Sequence, residues 1–422
     1  MAAELPENPA SWKRWLTPSA PLFTFSVHTM AQPPAASDGE TLAAMGDTDP
    51  AQAMLAWNRH TLQLVQKYQQ NPPRAVRALT IVHAAMHDAL ALAARDTENA
   101  AAGIVAAHRA ASLTLAYLYP YESTAWIEGK GLALSRASAQ AQRFTPLQLE
   151  RALATGERVA NDAIHRALTD GADRQPVARR PTAVDAGHWR AAPPLNIHTP
   201  QELLAGEWQP WVHGDEVELH PPPPHEYGSV QFWREVEEVY QVARSLTVEQ
   251  KTLADDWNLE QGSVTPAGVW NQRATEIIRA EKLDAAAAVR VLAALNAAMH
   301  DAVIACWRAK YQWWRVRPVS IIRERFDANF LPHLITPPHP AYVSGHAAMS
   351  AAAATVLAAF FPRHESTLHT LAAQAALSRL YGGIHFRSDN EEGLRLGQKI
   401  GKRALEQTLT SSAHQRAAGK NP

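Results

Sequence analysis

The 422-residue sequence has one cysteine, almost no net charge and no long uninterrupted apolar run. One cysteine excludes an intramolecular disulfide framework, and the apolar helical surroundings of Cys306 favour an inert core thiol over a catalytic one. A formal net charge of −1 gives no reason to expect nucleic-acid or acidic-membrane partners. Because no run of about 18 apolar residues occurs, we expect a soluble chain without a membrane-spanning helix.

Alternating β-branched runs are also scarce, whereas alanine-rich stretches with apolar residues at helical spacing recur along the chain. The sequence therefore predicts an all-α protein. Dense proline in residues 171–227 forbids long helices there, so we expect an irregular connection that wraps the surface. The predicted helices cover 51–68, 75–94, 100–118, 123–141, 146–169, 230–244, 248–258, 266–280, 284–310, about 365–380 and 388–409.

A short repeat indicates an internal duplication. Residues 83–89 read His-Ala-Ala-Met-His-Asp-Ala, and residues 296–302 differ only in beginning with Asn. Such a repeat is typical of a duplicated unit, here two packed helical bundles. Asp88 and Asp301, one in each copy, are expected to be buried and to bond helix ends. The predicted division is an extended or disordered arm with a possible degraded signal (1–45), a first bundle (46–170), the Pro-rich connection (171–228), a second bundle (229–410) and a tail (411–422).

Side chains suited to holding a tetrahedral oxyanion are concentrated in three segments of the C-terminal half. The first signature segment is Lys310–Pro318, the second is Ser344–His346 and the third is Ser378–Asp389. Lysine supplies a point charge, arginine a planar fork, and a helix N-terminus free N–H groups. We expect Lys310 to end its helix, with Ser388 opening the last helix through a capping box. Arg315 and Arg323 match no position of these motifs.

Taken together, Lys-x6-Arg-Pro, Ser-Gly-His and Ser-Arg-x5-His-x3-Asp resemble the signature of vanadium-dependent haloperoxidases and type 2 phosphatidic-acid-phosphatase-like acid phosphatases. Val343 stands where the family usually has proline, which removes no anion ligand. The resemblance implies two four-helix bundles with one vanadate per chain in the second. It also implies that His385 bonds covalently to vanadium. The implied vanadate-binding residues are Lys310, Arg317, Ser344, Gly345, Arg379 and His385.

The resemblance further implies roles around that anion. His346 would be the acid–base histidine, with a pKa lowered by the helix dipole and nearby cations. Lys310 would polarise bound peroxide, and Asp389 would orient His385. His339 would be catalytic and, with Trp307, would line the halide pocket; a histidine there favours bromide. The substrates would be hydrogen peroxide, halide and a small organic acceptor, without haem or flavin.

Two other functions stay open at this point. In an acid phosphatase, His385 would be the nucleophile and His346 the general acid. A third alternative is an anion-binding or assembly protein with a vestigial site. Chain length, the duplicated bundle, His339 and Trp307 favour a haloperoxidase. We also expect a homo-oligomer, a dimer by preference, and a cytoplasmic rather than periplasmic or secreted location.

Overall fold

The computed structural model describes residues 49–175, 185–212 and 219–418, with side chains described up to residue 407. These ranges contain thirteen α-helices, two short 3-10 helices and no β-strand. The predicted all-α class is confirmed. The helices are α1 Pro50–Lys67, α2 Pro72–Thr97, α3 Ala100–Leu118, α4 Thr124–Ala141, α5 Pro146–Thr169, α6 Val230–Arg244, α7 Val248–Asp256, α8 Thr265–Ala280, α9 Ala285–Trp313, α10 Pro318–Arg325, α11 Gly345–Phe360, α12 Glu365–Tyr381 and α13 Arg387–Ala418.

Two predicted helix ends are wrong, and both lie beside the signature segments. Helix α9 does not end at Lys310 but continues to Trp313, and it stops because Trp314 takes a left-handed conformation with φ of 47°. Helix α13 begins at Arg387, so Ser388 lies inside its first turn rather than before it. The Asp389 side chain accepts from the Phe386 amide at 3.0 Å, the backward contact that the predicted capping box assigned to Glu391.

Small residues let the helices of the C-terminal half approach closely. In α11, Ala347 to Leu357 are all buried. Gly397 of α13 lies against this face, where an added Cβ would be only 2.0 Å from the Ala348 carbonyl oxygen. Glycine is therefore required at this crossing, because any side chain would push the two backbones apart. The result is a rigid helix pair that carries the second and third signature segments.

The two copies of the repeat meet at their first residues. Asn296 Nδ2 on α9 lies 3.1 Å from His83 Nδ1 on α2, and the Thr80 hydroxyl donates to the Asn296 carbonyl at 3.0 Å. Equivalent positions of the two copies, His83 and Asn296, thus contact each other directly. Burial lowers the pKa of His83 to about 4, so the ring is neutral at this interface.

The two repeat aspartates differ from the prediction and from each other. Asp88 is not buried: its side chain is 64% exposed and pairs with His87. Asp301 is 6% exposed. Its carboxylate accepts from the Trp211 and Val212 amides at 2.9 and 2.6 Å, so it holds the connection rather than a helix end.

The described parts of the connection are irregular apart from a 3-10 turn at Ala205–Glu207. This turn lies directly on α9, since a Cβ on Gly206 would be 2.5 Å from the Arg308 amide nitrogen. Two hydrogen bonds join other parts of the connection to the loop before α11. The Gln201 amide donates to the Pro338 carbonyl at 2.8 Å, and the Tyr342 hydroxyl donates to the Pro222 carbonyl at 2.5 Å. The connection thus buttresses the loop that leads into the second signature segment.

Three helices, α2, α3 and α9, are long and apolar enough to cross a membrane by length and composition, contrary to our reading of the sequence. Their most apolar windows are 72%, 67% and 83% buried within the protein. Burial among neighbouring helices accounts for this composition, and the expected absence of spanning helices stays a prediction. The predicted N-terminal arm, 1–45, lies outside the described residues. The domain boundaries, the compartment and the dimer likewise stay predictions.

Candidate oxyanion site

The three signature segments meet around one pocket beneath the connection. Trp307 comes from α9, His339 from the loop before α11, Gly345 and His346 from the start of α11, and Arg379 and His385 from the third segment. Lys310 and Arg317 lie directly behind this lining and are fully buried. The other lining residues are Pro72, Pro73, Gln201, Glu260, Pro266, Pro337, Met349 and Ile384.

Arg317 holds two histidines of the pocket in place. Its Nη1 donates to His385 Nε2 at 3.1 Å and to the Ile384 carbonyl at 2.7 Å. Its Nη2 donates to His339 Nδ1 at 2.9 Å, and its Nε to the His339 carbonyl at 2.8 Å. Because a guanidinium can only donate, His385 Nε2 and His339 Nδ1 must be the acceptor nitrogens of their rings.

Arg379 differs from Arg317 in having a terminal nitrogen without a hydrogen-bond partner. Its Nη2 donates to the Ala254 and Trp257 carbonyls at 3.2 and 2.7 Å, and its Nε to the Ser378 hydroxyl at 3.0 Å. Its Nη1 is buried and has no hydrogen-bond partner. An unpaired buried guanidinium nitrogen is costly, so this atom is suited to an anion in the pocket.

Lys310 is engaged differently from the prediction. Its ammonium donates to the Pro340, Ala341 and Val343 carbonyls at 2.9, 3.0 and 2.6 Å. All three of its N–H groups are thereby used, so a bond to an oxyanion requires that one carbonyl be released. Burial lowers the pKa of Lys310 to about 7.

Ser344 begins α11 as its N-cap, with its hydroxyl accepting from the Ala347 amide. The first amides of a helix have no intrahelical partner, and the helix dipole favours an anion beside them. The Ser344 amide donates to the Asp389 carbonyl at 2.9 Å, which ties the second signature segment to the third. Gly345 lets the chain pass close to Trp307, since an added Cβ would be 3.2 Å from its ring.

His385 is fixed from both sides of its ring. Nδ1 lies 3.0 Å from Asp389 Oδ2, as expected for an orienting carboxylate. With Nε2 accepting from Arg317, the proton resides on Nδ1. The pKa of His385 lies well below its usual range, first because of burial and then because of the cations Arg317, Lys310 and Arg379. A neutral imidazole is a competent ligand or nucleophile, once Arg317 releases the Nε2 lone pair that it occupies here.

His346 is also neutral and lies at the pocket. Its Nε2 donates to the Trp257 carbonyl at 3.0 Å, the same oxygen that receives Arg379. This leaves Nδ1 as the ring nitrogen that can accept a proton. The pKa of His346 is well below its ordinary value, chiefly through burial and then through Arg379 and His385. A lowered pKa of His346 agrees with the prediction, although its main cause is burial rather than the helix dipole.

His339 and Trp307 form one wall, with ring centroids 5.3 Å apart. Burial, Lys310 and Arg317 together keep the pKa of His339 well below its ordinary range. Trp307 Nε1 is buried without a partner. Behind this wall, Cys306 is buried and its thiol contacts the Val343 carbonyl at 3.4 Å. Burial raises the pKa of Cys306 to about 11, which agrees with an inert core thiol.

Two charged residues at or behind the pocket, Glu260 and Glu235, were missed, and the partners of a third, Arg315, were not predicted. Glu260 lines the pocket, and burial raises its pKa against the opposing effect of Arg379 and Arg317. Arg315 was judged to match no motif, yet it is buried and donates to Asp389 Oδ1 at 2.8 Å. Glu235 accepts from Arg315 at 2.8 Å. No local spacing signals these contacts, because Glu235 and Glu260 belong to other elements.

This donor set fits a tetrahedral oxyanion such as vanadate. The orphaned Arg379 Nη1, the free amides at the start of α11 and the His385 Nε2 lone pair all belong to one pocket. Nearby, Arg317 adds a second full positive charge. These donors can hold the anion without an additional metal ion or a redox-active side chain.

Comparisons with known proteins agree with this geometry. Residues 290–367 and 362–413 match the family model described as VCPO second helical-bundle domain. The chain is similar to a bacterial vanadium-dependent iodoperoxidase structure at 23% identity and a TM-score of 0.68, over 85% of this chain and 95% of that one. The family-model match lies within residues 290–413, and the likeness to this structure is one of fold.

Two further structures extend the likeness in fold. The holo form of a bacterial vanadium-dependent chloroperoxidase is 16% identical with a TM-score of 0.62, over 89% of this chain and 96% of that one. The corresponding apo form is 16% identical with a TM-score of 0.61, over 79% and 93%. No curated protein matches the sequence.

Proposed function

We propose that the protein is a vanadate-dependent haloperoxidase that oxidises halide with hydrogen peroxide. The single observation that carries this proposal is the convergence of His385 Nε2 and the unpartnered Arg379 Nη1 on one pocket. That pair offers one bond to a central atom and charged donors to its oxygens. Bound vanadate supplies a Lewis acid that activates hydrogen peroxide.

The protein's own residues would contribute preorganised charge and proton handling. Arg379 and Arg317 would neutralise the oxyanion, and the amides at the start of α11 would add uncharged donors. Nδ1 of neutral His346 would accept a proton from peroxide and return it later. Asp389 would keep the proton of His385 on Nδ1 throughout. Lys310 would join the anion by leaving one of its three carbonyls.

Bromide is the halide we favour, because the pocket wall carries a histidine at position 339. The His339 ring is neutral and lies against Trp307, which gives a partly apolar, partly polar wall. Such a wall suits a large, weakly hydrated anion better than a small one. Hypohalous acid would then halogenate a small organic acceptor.

An acid phosphatase remains the second candidate, favoured by one specific observation. His385 Nε2 is an unprotonated, well-oriented nitrogen next to cationic donors, which is equally the requirement for a phosphohistidine nucleophile. His346, however, would have to donate a proton, and its lowered pKa keeps the ring unprotonated at neutral pH when no anion is bound.

The test compares the two activities in one preparation. Protein incubated with orthovanadate and dialysed is assayed for bromide- and peroxide-dependent bromination of a dimedone-type acceptor, and the vanadate-free protein for hydrolysis of p-nitrophenyl phosphate. We expect bromination that requires vanadate and disappears in His385→Ala. Phosphate ester hydrolysis without any halide oxidation would reverse the assignment.

A further inference from the structure

A buried chain of charged side chains leads from α6 to the pocket histidine. Glu235 Oε2 accepts from Arg315 Nη2 at 2.8 Å, and Arg315 Nη1 donates to Asp389 Oδ1 at 2.8 Å. Asp389 Oδ2 in turn accepts from His385 Nδ1 at 3.0 Å. Glu235, Arg315, Asp389 and His385 are all less than a tenth exposed. We call these four residues the relay.

Within the relay, Arg315 acts as a strut between two carboxylates. It uses one terminal nitrogen for each, so the planar guanidinium fixes the direction from which both are approached. The Arg315 side chain is itself held over the Phe386 ring at 4.4 Å. With Oδ1 bound to Arg315 and Oδ2 to His385 and the Phe386 amide, the Asp389 carboxylate has no freedom to rotate.

Glu235 makes a second contact that serves the same end. Its other oxygen, Oε1, accepts from the Ser388 amide at 2.7 Å. This amide belongs to the first turn of α13, the turn that carries Asp389. A carboxylate there satisfies an otherwise unpaired helix N–H and is favoured by the dipole. Glu235 therefore positions both the Arg315 guanidinium and the first turn of α13.

We propose that Glu235 and Arg315 are positioning residues that hold Asp389 so that His385 keeps its proton on Nδ1 and presents Nε2 to the oxyanion. Neither residue touches the pocket. Partners that orient a ligating histidine typically change anion or metal affinity by about 10- to 100-fold when removed. The inference rests on the proposed function only in taking His385 as the residue that bonds the anion.

The chain offers a matched control for this proposal. Glu238 lies one turn further along α6 and pairs with Arg387 of α13 through contacts of 2.5 to 3.1 Å. Glu235→Gln and Glu238→Gln each remove one carboxylate charge that α6 presents to α13, the first at the Ser388 amide and the second at Arg387. The second pair is partly exposed and has no bond to Asp389. Loss of interhelical attraction alone would affect both variants similarly.

The experiment measures tautomer and affinity separately. Side-chain ¹⁵N shifts of His385 in the vanadate-free protein, assigned by their loss in His385→Gln, report which nitrogen carries the proton. Orthovanadate affinity is measured by calorimetry. We expect Glu235→Gln to mix the tautomers and weaken vanadate about tenfold or more, with Glu238→Gln like the wild type. Arg315→Lys, which has one nitrogen in place of two separate terminal nitrogens, should resemble Glu235→Gln.

Each outcome decides the proposal. A pure Nδ1–H tautomer and unchanged affinity in Glu235→Gln would overturn it, as would equal losses in Glu235→Gln and Glu238→Gln. If Glu235→Gln does not fold, Arg315→Lys decides by the same two readouts. A wild-type protein that binds no orthovanadate would sink the proposed function, whereas the tautomer comparison would still decide the relay.

Discussion

The buried lysine gives a sharp prediction about how oxyanion affinity depends on pH. Burial lowers the pKa of Lys310 from its ordinary value of 10.5 to about 7. Sulfate is a suitable probe because it is a tetrahedral dianion whose charge is constant between pH 6 and pH 9. A bound dianion stabilises the ammonium form, so above about pH 7 binding must take up a proton. Sulfate affinity should therefore fall by up to about tenfold per pH unit from pH 7 to pH 9.

The histidines and arginines of the pocket do not titrate in this window. The pocket histidines His339, His346 and His385 have pKa values well below their ordinary range, so they are already neutral. Arg317 and Arg379 have pKa values lowered to about 10 by burial, so they keep their charge up to pH 9. The slope can be followed by calorimetry. Lys310→Met should abolish it, and Lys310→Arg should keep binding without the slope.

The same shift has a consequence for stability with the opposite sign. Between about pH 7 and 10.5 the unfolded chain binds the lysine proton and the folded protein does not. The free energy of unfolding should therefore rise with pH over this interval, by at most about 1.4 kcal/mol per unit.

Sulfate affinity that stayed constant from pH 7 to pH 9 in the wild type would refute the placement of Lys310 beside the anion.

Three further predictions concern single side chains. Glu260→Gln should strengthen sulfate binding at pH 8 by roughly tenfold, because it removes a carboxylate from a cationic pocket; weaker binding would contradict this. Asp301→Ala leaves the Trp211 and Val212 amides unpaired, so it should lower the free energy of unfolding in urea by about 1–3 kcal/mol for each amide. An unchanged urea midpoint would show that these two hydrogen bonds do not hold the connection. Gly206→Ala should lower the free energy of unfolding by about 1–3 kcal/mol, because the added methyl group would overlap the Arg308 backbone. Gly129→Ala, with open space around it, should raise the free energy of unfolding by about 0.5–1 kcal/mol. Equal effects of the two substitutions would contradict the close contact of Gly206 with α9.

Sequence reasoning succeeded where the determining contacts are local. Helix periodicity, caps and prolines depend on neighbouring residues, so the all-α class and most helix positions were predictable. The candidate anion-binding residues were equally accessible, because each signature segment holds its charged and polar side chains within a few positions. Their convergence on one pocket required only that the segments pack together.

Sequence reasoning failed where a partner lies far along the chain. Arg315 matched no motif position, and its partners could not be predicted because the two carboxylates are 74 and 80 positions away. Asp88 and Asp301 occupy equivalent places in the repeat, yet only Asp301 faces the connection and is buried. The three carbonyls that hold Lys310 come from a loop whose path no periodicity specifies. Such contacts are set by packing between elements, which a single sequence does not encode locally.

The central claim is that His385 and the cations around it form one oxyanion site. Its most direct test is the vanadium content of each chain after incubation with orthovanadate and exhaustive dialysis. We predict one vanadium per wild-type chain and almost none in His385→Ala, with both proteins folded by circular dichroism. No vanadium in the wild type, or equal retention in the variant, would contradict the account.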